Sequence, residues 1–460
     1  MCPAADGQSL SRAWRHAGLI ALLFALISAS VAAAQGVASS SADAWTLDAV
    51  VKAALAQHPL VEAARARVEA ARGDRVTAGT FPNPVATYWM ENGGFPGQTL
   101  PTSIGRETST YVTLPLEPFI QRAPRVRRAD EDIKSAEASL ILARRQVAAE
   151  AVRAFFRVAL AQAVVAAADA NRAGLAELAA YNRNRVTEGL TPEGELLRVQ
   201  VEFDRAGTEV ALTEVDLSRS RAELAPYVGD LQGPLEALAA LRVVEPGHIA
   251  GSSMPAHDLV VARARDTRPE LIAGRARVAA AAAGADYERT LTLRQLGATF
   301  GNKRVEGQNT MMAGVSVAVP LFDRNRGGVQ RAISERSAAE QVLVWTERTV
   351  MADVQAAYAS AERLTRQLGE LEQSFLSRAD EVYRITLGAY QEGGATLLQV
   401  LDATRTRAEA RLSYSRTAFA QRQSLFDLAL ASGTDPVDAL AVLQAWTAPS
   451  PLNQRAQGEP

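Results

Sequence analysis

The sequence predicts a mainly α-helical protein built from one duplicated unit, each copy holding a β-hairpin followed by a long antiparallel helical pair. Three observations carry that prediction: a repeat between the two halves, two proline-free stretches of unusual length, and paired runs that alternate with period two. Hydrophobic residues make up 48% of the chain but aromatics only 6%, so alanine, valine and leucine dominate, a composition suited to closely packed helices. The 49 basic and 51 acidic residues leave a net charge of −2 with no long single-sign block. That balance argues against nucleic-acid binding through a basic stripe. One cysteine excludes disulfide scaffolds and multi-thiolate metal centres.

In chain order, residues 1–34 read as a secretory signal, with Arg12, Arg15 and His16 as the basic flank, Ala17 to Val31 as the apolar stretch and Ala32-Ala33-Ala34 as the cleavage site. The apolar stretch is short of the roughly 20 residues that span a bilayer. Cys2 lies before it and leaves with the signal. No later apolar run is expected to give a spanning helix, so membrane insertion would need another architecture.

The repeat sets the domain plan: residues 45–230 form the first copy, 231–257 a linker and 258–433 the second copy. At an offset of 210, residues 48–71 match 258–281 at 12 of 24 positions, including Arg65-Ala66-Arg67-Val68 against Arg275-Ala276-Arg277-Val278. At an offset of 203, Val112, Phe119 and Val126 meet Val315, Phe322 and Val329. Chance explains single matches in alanine-rich sequence, but not blocks that recur in the same order. The unit is far too long for a short-period solenoid.

Each copy opens with a short helix ending at a His58-Pro59 or Arg268-Pro269 step, then a second helical stretch. The hairpins follow, at 85–116 and 295–319; the run from Met311 to Val319 alternates Met311, Ala313, Val315, Val317 and Val319 against smaller partners. A soluble half-buried hairpin satisfies this pattern, and so does a tilted transmembrane strand. Long helices are predicted at 120–188 and 328–391, because 125–188 and 329–391 contain no proline and hardly any glycine. Their seams, Ile133, Ala136, Leu140, Ala143 and Val147, and later Ala361, Leu364, Leu368, Leu371 and Phe375, keep coiled-coil spacing, with a four-residue step from Val147 to Ala151. Glycine tips end each helix, and return helices are expected at 195–225 and 396–432. The Pro-, Gln- and Ala-rich segment 434–460 reads as a flexible tail. Four strands per chain leave open edges that a membrane does not tolerate. If the hairpins insert, three copies give a closed set of twelve strands.

The motifs Tyr390-Gln391-Glu392-Gly393, Leu397-Leu398-Gln399-Val400-Leu401-Asp402-Ala403, Phe81-Pro82-Asn83-Pro84 and Pro320-Leu321-Phe322-Asp323-Arg324-Asn325-Arg326-Gly327 resemble those of the TolC-like outer-membrane efflux proteins. The last string and Asn83-Pro84 look most like the branch serving heavy-metal pumps of the cobalt–zinc–cadmium and copper–silver type. The resemblance implies a homotrimer in the outer membrane of a Gram-negative bacterium: a 12-stranded barrel continued by an α-helical tunnel into the periplasm. It implies a periplasmic adaptor (membrane fusion protein), an inner-membrane resistance-nodulation-division (RND) pump and outer-membrane lipid as partners. No nucleic acid, catalytic residue, cofactor or bound metal is expected. Gly189, Leu190, Thr191, Gly393 and Gly394 map to the periplasmic tip that meets the adaptor. Gln399 and Asp402 map to the pore entrance, where family members carry two acidic residues; Ala395 stands where an arginine is common. Asp402 equally suits an ordinary solvated helix charge.

Other readings stay open at this point. A multidrug or type I secretion channel of the same family fits most of the same motifs, and a periplasmic coiled-coil adaptor shares the long helical hairpins. Gly314-Val315-Ser316-Val317-Ala318 half resembles a nucleophile elbow but falls inside a strand. Of the histidines, His58 stands alone, while His248 and His257 lie within the linker. Met311 and Met312 are adjacent, so on a strand they point to opposite faces and cannot share an ion.

Overall fold

The computed structural model describes residues 44–93, 96–97, 105–229, 241–243, 248–249, 254–439 and 447–448. The signal segment 1–34 and most of the linker 231–257 lie outside the described residues. The chain divides into a unit ending at Ala44 and a unit Trp45–Pro460, and the elements below belong to the second.

Helices α1 (Leu47–Gln57) and α2 (Pro59–Gly79) lead into strands β1 (Val85–Glu91) and β2 (Glu107–Pro115), then into α3 (Pro118–Thr187) and α4 (Glu193–Val228). After the short β3 (His248–Ile249), the order recurs: α5 (His257–Thr267), α6 (Pro269–Thr290), β4 (Leu296–Val305), β5 (Gln308–Val317), α7 (Arg326–Glu370), a π-helical turn (Leu371–Phe375), α8 (Leu376–Gln391) and α9 (Leu397–Ala431). The equivalence reaches single side chains. Val50 and Val260, Ala54 and Ala264, and Val61 and Leu271 are buried in pairs at repeat-related positions.

The 70-residue α3 is roughly 105 Å long at 1.5 Å per residue. Its first half packs on α2, where Arg75 meets Asp130 at 2.5 Å and Arg72 meets Glu137 at 3.3 Å, and on α6. Its second half packs on α4, with Arg172 stacked 5.0 Å over Phe203. Between them lies the largest core, around Val152, Phe155, Val158 and Phe426, closed by α1, α5 and the strand-like contact of Trp45 with Val243. Here α3 is buried nearly all round, from Val147 to Ala159. The four-residue step in its seam falls in this stretch, where several neighbours surround the helix and no single seam has to be kept. One 18-residue window of α3 reaches a mean hydropathy of 1.6, enough by composition to cross a bilayer. The expectation that no later run is so apolar is therefore corrected. Of that window, 39% is buried inside the protein.

The second long helix departs from the sequence expectation. It is not one continuous α-helix over 328–391, because Leu371–Phe375 widens into a π-helical turn. Leu368 and Leu376 are both buried against Tyr414 and Ala418 of α9. Eight residues apart in a regular α-helix, they would sit about 80° out of line. Absorbing one residue in a wider turn brings them to within about 20°. Leu376 therefore takes the seam position expected for Phe375, which is 42% exposed.

The strands form one antiparallel sheet in the order β1-β2-β4-β5, so the two hairpins join through β2 and β4. The β4–β5 turn is the two-residue Glu306-Gly307, both at positive φ (50° and 86°), the tight primed type that matches strand twist. Register assigns the faces. Ala86, Tyr88, Val112, Leu114, Ala298, Phe300, Ala313, Val315 and Val317 share one face. Thr87, Ser109, Thr113, Thr299, Gly301, Lys303, Thr310, Gly314 and Ser316 share the other with Val85, Trp89, Tyr111 and Met312, while Thr110, Asn302 and Arg304 fall on the first face toward the turns. Thr113 and Thr299 hydrogen-bond at 3.1 Å on the second face, and Lys303 pairs with Glu107. The outer edges of β1 and β5 pair with no described strand.

Of the segment 434–460, residues 434–439 and 447–448 are described and the rest lies outside the described residues. Ala439 is fully buried in the main core, and Thr447–Ala448 (β6) pairs antiparallel with β3.

Candidate functional site

The two glycine tips share one backbone construction. After α3, Gly189 stands at φ 71° and the Leu190 amide donates to Arg185 O at 2.8 Å. After α8, Gly393 stands at φ 81° and the Gly394 amide donates to Ala389 O at 2.7 Å. Both are Schellman caps, in which a left-handed residue lets the next amide reach back over the last turn. Leu190 is exposed beside a half-buried Thr191.

The tips differ in how the return helix begins. Pro192 precedes α4 with no side-chain cap. Thr396 caps α9 through a reciprocal box: its hydroxyl accepts from the Gln399 amide at 3.4 Å, and Gln399 Oε1 accepts from the Thr396 amide at 2.8 Å. Gln399 is thereby committed to starting the helix. Asp402 lies one turn on, on the same exposed face, and no described cation pairs with it. Ala395 is half-buried and packs against the core of the tip.

That core was not visible in the motifs. Asn182 of α3 is completely buried beside an apolar cluster of Leu178, Ala179, Val199, Leu397 and Val400; its Nδ2 donates to Leu178 O at 2.9 Å and its Oδ1 accepts from the Tyr390 phenol at 2.6 Å. Arg185 lies 5.7 Å over the Tyr181 ring and 5.4 Å over Tyr390. The only sequence signal for Asn182 is a polar residue at an interior coiled-coil position, a known device for setting register. Burial raises the Tyr390 phenol above its ordinary value, with Glu195 adding to the effect and Arg185 opposing it.

At the other end of the helices, the Asp323-Arg324-Asn325 string is a hinge between sheet and tunnel. Asn325 sits in the left-handed region (φ 55°) and is buried. Its Nδ2 donates to Glu288 O at 2.8 Å and Glu288 Oε2 at 2.9 Å, and its Oδ1 accepts from Arg294 at 2.6 Å. Gly328 is required beside it, since a Cβ there would collide with both Asn325 and Glu288.

The remaining candidates disperse. His58 caps α2 through Nδ1 and stacks on Tyr227, whereas His257 lies against Asp258 and Tyr358. Met311 and Met312 fall on opposite faces of the sheet. Ser316 lies within β5 opposite Gly297, not at a strand-to-helix turn.

Residues 260–434 match the family described as Outer membrane efflux protein. The cobalt-zinc-cadmium resistance protein CzcC of Cupriavidus metallidurans is 27% identical over 80% of this chain and 85% of its own length. The nickel-cobalt-cadmium resistance protein NccC of Alcaligenes xylosoxydans xylosoxydans is 27% identical over 70% of each chain. Among solved structures, CusC superposes with a TM-score of 0.70 at 16% identity, covering 87% of this chain and 96% of its own. With its duplicated hairpins and its sheet-capped helices, the chain has the fold of the TolC-like channels, and its second repeat matches the outer membrane efflux protein family.

Proposed function

We propose that three copies of this chain form the outer-membrane conduit of a tripartite efflux system that exports heavy-metal cations. The carrying observation is the four-stranded sheet, more apolar on one face than on the other, whose two outer edges find no partner among the described strands. Backbone groups at such edges cannot stay unpaired in lipid. Pairing β5 of one copy with β1 of the next closes twelve strands with the apolar face outward. The helices then continue as the tunnel, with the tips at Gly189 and Gly393 directed into the periplasm toward an adaptor and an RND pump. Gln399 and Asp402 stand at the narrow entrance. The conduit performs no chemistry, and selectivity resides in the pump. Likeness to proteins named for cobalt, zinc, cadmium and nickel resistance supports the metal cargo.

Deletion followed by growth on cobalt, zinc, cadmium, nickel, copper and organic drugs tests the cargo: metal sensitivity is expected. Unchanged metal tolerance with lost drug tolerance would replace this reading with a multidrug channel. Carbonate extraction and heat-modifiable gel migration test the architecture, and a soluble monomer would overturn it.

A further inference from the structure

Where the tunnel helices meet the sheet, the chain exposes aromatic rings together with arginines that have no carboxylate partner among the described residues, and we infer that this collar binds the headgroups of anionic phospholipids in the leaflet facing the periplasm. The inference rests on the membrane-spanning reading of the sheet. Phe119 and Phe322, repeat equivalents at an offset of 203, are 76% and 100% exposed. Each lies within five residues of the end of its strand, just past the point where the apolar sheet face stops at Leu114 and Val317. Phe81 adds a third ring, 6.1 Å from Phe119, with the Arg122 guanidinium 5.4 Å above it. Arg324 and Arg326 flank the buried Asn325, and both are exposed. Among the described residues no carboxylate forms an ion pair with Arg122, Arg324 or Arg326, whereas nearby Arg294 pairs with Asp323 at 3.4 Å.

Rings at this level would be poorly placed in water, and guanidinium groups would be poorly placed in hydrocarbon. The headgroup layer satisfies both, since aromatic side chains settle at the membrane boundary and arginine grips phosphate with two parallel hydrogen bonds. Two features point to lipid as the occupant: the collar continues directly from the apolar face of the sheet, and its net positive charge complements phosphate. Trimer formation would repeat it three times around the barrel.

The test uses full-length protein inserted in vesicles of phosphatidylethanolamine and phosphatidylglycerol in equal amounts, with the lipid retained on release read by native mass spectrometry. Wild type is expected to keep phosphatidylglycerol preferentially. The Arg324→Gln/Arg326→Gln variant is expected to lose at least about fivefold of that preference, from a contribution of about fivefold per basic residue at an anionic surface. Arg219→Gln, on the exposed side of α4, should change nothing. Phe322→Ala should reduce total retained lipid while the oligomer persists. An unchanged ratio in the double arginine variant overturns the collar. So does a Phe322→Ala protein that dissociates with its lipid content unaltered, which would make this face a contact between copies. Carbonate extraction of the same samples separates the two readings: failure of wild type to insert overturns the spanning sheet itself, whereas insertion without phosphatidylglycerol preference overturns the collar alone.

Discussion

The Tyr390 phenol donates to Asn182 Oδ1 at 2.6 Å, joining the tip of the second helical hairpin to the first across 208 residues of sequence. Both side chains are buried, so the bond is made out of reach of competing water. It is the specific polar tie inside an otherwise apolar cluster of Leu178, Ala179, Val199, Leu397 and Val400.

Tyr390→Phe keeps the ring and leaves Asn182 Oδ1 buried without its donor, a cost of about 1–3 kcal/mol. The tip is expected to loosen while the largest core, around Val152 and Phe426, and the sheet remain intact. Thiol labelling of a Leu190→Cys reporter in Cys2-free mature protein should speed up in the variant, and equal labelling rates would deny the bond any restraining role. Raising the pH should do the same to wild type. The phenol is held above its ordinary 10.0, so its contribution is complete below that value and is lost as pH rises through the higher folded-state value.

Gly393→Ala forces a Cβ into a left-handed backbone position, at a cost of roughly 1–2 kcal/mol. Open space surrounds the added atom, so the penalty is conformational rather than steric. Gly189→Ala should cost a similar amount, because both tips use the same cap. Proteolysis at the tips should accelerate in either variant, and an accelerated cut confined to one tip would mean that the caps are not equivalent.

Arg268→Ala should destabilise the protein by about 3 kcal/mol. Arg268 is buried, lies 3.0 Å from Glu270 and 3.3 Å from Asp353, and donates to Leu430 O at the end of α9. Arg145 donates to the same carbonyl. Two cations at a helix C-terminus offset its unsatisfied carbonyls and dipole. Chemical denaturation of the detergent-solubilised protein measures the effect, and a change below about 1 kcal/mol would place Arg268 among ordinary surface charges.

Gly301→Val should abolish the heat-modifiable oligomer while leaving the helical signal in circular dichroism. Gly301 faces Tyr111 in the β2–β4 ladder, and a Cβ there would collide with Tyr111 and with the Thr110 carbonyl. A variant that still migrates as the wild-type oligomer would show that the two hairpins do not pair at this register.

Much of the architecture was legible along the chain. The absence of proline and scarcity of glycine over 125–188 and 329–391 license long helices, glycine at 189 and 393 marks where they stop, and alternation in Met311 to Val319 marks a strand with two unlike faces. The motif strings located the tip and the sheet–helix hinge without explaining them. The π-helical turn was not legible, because Leu371–Phe375 has ordinary helix-forming residues and widens only so that Leu376 can meet Tyr414 and Ala418. Gln399 illustrates the same limit: its place in the string suggested a pore-facing group, while its amide is engaged in capping α9.

The sequence by itself determined the duplication, the lengths of the helices and the chemistry of the two sheet faces, since each depends on neighbours a few residues apart or on a repeat that comparison of the halves exposes. Only the tertiary structure decided which residues lock those parts together: Asn182 with Tyr390, Asn325 with Glu288, Arg145 and Arg268 with the end of α9. Such contacts join residues from 37 to 285 positions apart. Their partners are chosen by how the helices pack, and no local pattern of propensity or spacing records that choice.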